Sequence, residues 1–91
     1  MISKNVDDVM QYPKGDVRRW FVLLTAIDIL VSPTLVNLAA FTGHNKGTIP
    51  ADVEKIREQL KVDIRKVGAK YIIEDWGPIL KKNGVKGCLN G

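Results

Sequence analysis

From Val17 onward, apolar side chains return every three or four positions, at Val17, Trp20, Leu24, Ile27 and Val31. That spacing lines one face of an α-helix, and Asp16 stands where a carboxylate can accept from the free N–H groups at its start. A second stripe of Val22, Ala26 and Ile29 lies roughly opposite. A single small core does not easily bury both stripes, so the second needs a cover, either the N-terminal segment folding back or another chain. Ser32-Pro33 signals the start of a short second helix with Leu35, Leu38 and Ala39 on its inner face, and Gly43 supplies the left-handed stop. Ile49, Val53, Ile56 and Leu60 mark a third helix. With Thr48 as its N-cap, Pro50 falls at the second helical position, where a missing N–H breaks no helical bond.

After Leu60 the period changes to two. The stretches VDIRK (62 to 66) and KYIIE (70 to 74) are β-branched and aromatic, and Val67-Gly68-Ala69 between them gives the glycine of a short hairpin turn. The expected fold is mostly α with a small β-hairpin, an α+β domain of three helices. Residues 1 to 15 read as an N-terminal arm, with one helical turn around Val6 to Met10, and 16 to 82 as the folded domain. Pro78 is placed to open a last short helix, while 83 to 91, NGVKGCLNG, read as a flexible, frayed tail.

Composition narrows the class. At 91 residues, 45% apolar and 26% charged, the chain has the size and balance of one globular domain. Its longest apolar run, WFVLLTAIDILV (20 to 31), is shorter than the roughly 20 residues a bilayer span needs and is broken by Asp28. No membrane partner is expected. A single cysteine, Cys88, and a first segment without the apolar stretch of a secretory signal point to the cytoplasm. The net charge of +4 is unevenly spread, since residues 1 to 31 carry equal numbers of cations and carboxylates and much of the excess falls on Lys81, Lys82 and Lys86. Net charge alone therefore identifies no partner.

The order of helix, short helix, tight turn, longer helix and hairpin, carried by LAAFTG (38 to 43), TI (48 to 49), DVEKIREQL (52 to 60) and VDIRKVGAKYII (62 to 73), resembles the winged helix-turn-helix DNA-binding domains of bacterial repressors of the biotin-operon and sugar-operon type. His44 and Pro50 depart from that pattern. The resemblance covers residues 31 to 73 and implies a three-helix core plus a wing, with the third helix in a major groove of double-stranded DNA and its first residues nearest the bases. By position those are Asn45, Lys46, Thr48, Ala51 and Lys55. Asn45 can read adenine, Lys46 guanine or phosphate, and Thr48 phosphate or a thymine methyl. The wing would set Arg65, Lys66 and Lys70 on the phosphate backbone, and Arg18 and Arg19 are further candidates for phosphate. The implied activity is transcriptional regulation, as a homodimer if the second stripe or the segment from Trp76 to Leu80 pairs two copies.

Other chemistries find little purchase. Asp7-Asp8 and Glu74-Asp75 are adjacent and point different ways, so neither pair presents two carboxylates to one substrate. Cys88 has no neighbouring base, His44 has no second histidine to share a metal, and the glycines lack a phosphate-cradle spacing. No enzyme, metal, cofactor or small-molecule ligand is expected. Trp20, Tyr71 and Trp76 read as core or rim residues. The alternative is a winged helix that binds another protein, as a replication or phage-type accessory factor, suggested by the near-neutral outer face of the third helix and the spare hydrophobic stripe on the first.

Overall fold

The computed structural model describes residues 3 to 91. The elements run β1 (Ser3–Lys4), β2 (Met10–Gln11), α1 (Arg18–Ile29), α2 (Leu35–Thr42), α3 (Ile49–Leu60), β3 (Asp63–Val67), β4 (Lys70–Asp75) and α4 (Lys82–Lys86). Among the described residues this is an α+β fold of four helices and two small antiparallel sheets. None of the helices is long and apolar enough to cross a membrane.

The three central helices form where the apolar spacing places them. In α1 the residues Leu24 and Ile27 are buried and Trp20 packs on the core, but Val17 and Val31 are exposed because α1 starts after Val17 and stops at Ile29. Asp16 acts at its start as expected in kind, its Oδ1 accepting from the Arg18 amide at 2.9 Å, although the helix begins after Val17. Helix α2 starts later than Ser32-Pro33 suggested. Thr34 is its N-cap, with its side chain accepting from the Asn37 amide at 3.2 Å, and Gly43 ends it at φ 77°. Helix α3 has Thr48 as N-cap and Pro50 in its first turn, and it buries Ile49, Val53 and Ile56. These side chains join Leu23, Leu38, Val62, Ile64 and Tyr71 in the main core.

The hairpin pairs Val67 with Lys70 across a two-residue loop, Gly68-Ala69. Gly68 sits at φ 60°, as the first loop residue of such a tight hairpin requires. On the far side of β4, Thr34 bridges Lys70, and the Tyr71 amide donates to the Pro33 carbonyl at 3.0 Å. The link between α1 and α2 is thus tied to the hairpin as a vestigial third strand.

Both ends of the chain differ from expectation. No helical turn forms at Val6 to Met10. Instead β1 and β2 make a small hairpin with Asp8 at φ 63° in its bend, and Val9 and Tyr12 are buried. Residues 1 and 2 of the arm lie outside the described residues. The segment expected to fray holds α4, buries Val85 in the main core and Leu89 in a second cluster, and Pro78 lies in a turn before it. That cluster of Val9, Tyr12, Val22 and Leu89 is the physical reason for both corrections: apolar side chains spaced too irregularly to show a period still find one another in three dimensions. Backbone and side-chain bonds stitch the two ends, with the Met10 amide donating to Leu89 at 2.8 Å, the Tyr12 hydroxyl to the Cys88 carbonyl at 2.7 Å and the Asn90 side chain to the Asp8 carbonyl at 2.9 Å. Of the second stripe, Val22 is covered in this way, Ala26 is buried in the main core, and only Ile29 remains exposed. The stripe needs no second chain to bury it.

Candidate nucleic-acid interface

The loop from Gly43 to Thr48 is held by its own polar groups. The Asn45 side-chain oxygen accepts from the Gly47 amide at 2.7 Å, and the Asn45 carbonyl accepts from both the amide and the hydroxyl of Thr48 at 3.0 Å. This fixes the backbone before α3 and leaves the Asn45 amide nitrogen and the Lys46 side chain outward. His44, at the start of this loop, is buried. Its amide donates to the Thr42 hydroxyl at 3.1 Å, and its Nδ1 has no partner. Burial, with the Arg19 charge as a smaller contribution, lowers its pKa to about 4, so the imidazole is neutral near pH 7.

Asn45, Lys46, Thr48, Ala51, Lys55, Arg65, Lys66 and Lys70 are all exposed. The five cations in this set make no ion pair among the described residues. Some cations elsewhere are engaged, Arg18 with Asp16 at 2.6 Å, Lys86 with Asp28 at 3.0 Å and Arg57 with Glu54 at 2.8 Å, whereas Lys14, Arg19, Lys61 and Lys81 also make no ion pair among the described residues. Arg18 also stacks its guanidinium 4.3 Å from the Tyr12 ring centre, and its ion pair holds the Asp16 carboxyl below the usual carboxylate range. Arg18, a candidate for phosphate by its position, is thus already engaged by groups of its own chain.

Helix α3 stands as a ridge between two grooves. On one flank Pro50, Glu54 and Arg57 face Arg65, Lys66 and Tyr71 of the hairpin across a cavity of about 210 Å³. On the other, Thr48, Asp52 and Lys55 face Lys14, Arg19 and Trp20 across a cavity of about 270 Å³. The first turn of α3 and the hairpin thus wall one groove. The wing cations do not all share it. Arg65 and Lys66 do, the exposed Lys66 pairing across the hairpin with Tyr71 and lying 5.5 Å from its ring centre. Lys70 lines a separate groove with Val31, Pro33 and Ile72 at the end of α1. Trp20 and Trp76 are half-buried and Tyr71 is buried, as rim and core residues.

Lys14 escaped the sequence reading. It lies in the turn between Pro13 and Gly15, more than thirty positions from Lys55, and only the packing of α1 against the rest brings the two to one groove. No local pattern carried that signal. No protein-family model, curated protein or solved structure matches the chain.

Proposed function

We propose that this protein is a winged helix-turn-helix that binds double-stranded DNA, with α3 in the major groove and the β3–β4 hairpin as its wing, and that it acts as a transcriptional regulator. The observation that carries this reading is the set of exposed, unpaired cations at the α2–α3 loop, along α3 and on the hairpin, beside a fold whose helix order and hairpin are compatible with that class. Such charges gain by replacing the counterions condensed on phosphates, and a helix ridge of this width suits a major groove about 12 Å across. Glu54, which would repel phosphate, is balanced by Arg57. Asn45 and Lys46 precede the ridge and are the candidates for base contact. Lys55 lies on its flank, where phosphate contact is expected; Thr48 lies there too and could donate to a phosphate only by turning its hydroxyl away from the Asn45 carbonyl, while its methyl is free for a thymine methyl, and Ala51 lets a base edge approach.

Titrating the protein with random-sequence duplex at several salt concentrations tests the proposal. Binding should weaken steeply with salt, and Lys46→Ala and Lys66→Ala should each reduce the log–log slope by about 0.9. A slope near zero for the wild type would refute it.

A second reading, a winged helix that binds protein, draws on the exposed side chains of Val31, Val36 and Ile72. Under that reading Lys46→Ala leaves partner binding intact while Ile72→Asp abolishes it.

A further inference from the structure

We infer that the groove between the start of α1 and α3 is a second phosphate-backbone seat, which takes the DNA strand on the side of the ridge away from the wing. The inference rests on the DNA-binding reading and extends it to residues that lie outside both the helix-turn-helix and the hairpin. The groove is lined by three cations, Lys14, Arg19 and Lys55, none of them in an ion pair among the described residues. Two carboxylates also line it. Asp16 is already neutralised by Arg18 at 2.6 Å, which leaves Asp52 as the single opposing charge. The Arg19 guanidinium is held in place, donating from Nη1 to the Tyr12 carbonyl at 3.0 Å, so little side-chain freedom is lost when it meets an anion. The start of α3 has no side-chain cap, and Thr48 brings that end of the helix to the same groove, where the helix dipole favours negative charge.

The geometry gives the groove its occupant. A ridge entering a major groove is flanked by two sugar-phosphate backbones, and α3 has a channel on each flank. The channel beside the hairpin carries Arg65 and Lys66. The channel beside α1 carries Lys14 and Arg19, and its cavity of about 270 Å³ is wide enough for a phosphodiester with its hydration. Trp20 forms an apolar wall against which a deoxyribose can pack. Each of the two strands thus has its own set of cations.

The test is a salt series on duplex DNA with Lys14→Ala, Lys14→Glu and Arg19→Gln, alongside Lys66→Ala. Lys14 is exposed and makes no side-chain hydrogen bond, so its variants fold, and Arg19→Gln is checked by its melting curve. The expected result is a slope reduced by about 0.9 for Lys14→Ala and for Arg19→Gln, a larger loss of affinity for Lys14→Glu, and a shift of the Gly15 amide resonance when wild-type protein binds duplex. If Lys66→Ala lowers the slope while both Lys14 variants leave it unchanged and Gly15 does not shift, the seat is empty and the DNA-binding reading stands without it. If wild-type protein shows no salt-dependent binding, both proposals fall together.

Discussion

His44 is buried at 5% exposure with an unpartnered ring nitrogen, directly before the loop that carries Asn45 and Lys46. Its folded pKa of about 4 lies below the ordinary 6.5, so between those values the unfolded chain holds a proton that the folded protein refuses. More protons on the unfolded state means that stability falls as pH is lowered through this window, and the stability present above pH 6.5 is lost by about pH 4. Between about pH 7 and about pH 5 the wild type should lose on the order of 2 kcal/mol relative to His44→Phe, measured by urea denaturation at both values. An equal pH dependence in the two proteins would place the imidazole in water. Nothing in the sequence marked this residue as buried. It follows Gly43 in a polar loop, and only the fold brings distant groups there, such as the Gln11 side chain that donates to the neighbouring Thr42 carbonyl at 2.8 Å.

At the level of elements, what could be read in advance was what local periodicity encodes. Ile49, Val53 and Ile56 could only face a core, Pro50 limited where α3 begins, and Gly68 fixed the hairpin loop. Helix ends were less legible, because Ser32 and Thr34 are both good caps and tertiary contact chose between them: Thr34 bridges to Lys70. The candidate site was legible residue by residue along α3, whereas the sorting of Lys66 and Lys70 into different grooves depends on strand pairing. A second contact beyond sequence reading joins α3 to the end of β4. Gly77 adopts φ 76°, and a Cβ there would collide with the Lys61 carbonyl, at a residue that is itself left-handed with φ 57°. Gly77→Ala combines a strained backbone with a clash against main chain and should cost at least about 2 kcal/mol, read as a lowered melting temperature.

Across the whole molecule, two apolar clusters share α1. The main core takes the side of Leu24 and Ile27, and the second takes Val22, with Phe41 packed against both. Of the second cluster, periodicity showed only Val22, on the second stripe of α1, because Val9 and Tyr12 flank a two-residue strand and Leu89 follows a five-residue helix, segments too short to show a repeat. Its worth is measurable. Leu89→Ala removes a buried side chain from beside Val9 and Val22 and should destabilise by about 2 to 3 kcal/mol, while Val6→Ala, at a fully exposed position, should leave the denaturation midpoint unchanged. Equal midpoints for Leu89→Ala and wild type would mean that the last residues do not hold the fold.

The stitching of Tyr12 to Cys88 and of Asp8 to Asn90 spans 76 and 82 positions of sequence. On the ribosome, the Val22 flank of the first long helix must therefore wait without this cover until Leu89 has been made. A nascent chain halted anywhere before Leu89 offers that flank to chaperones or to other unfinished copies, and the arrival of Leu89 beside Val9 and Val22 is what finally shields it.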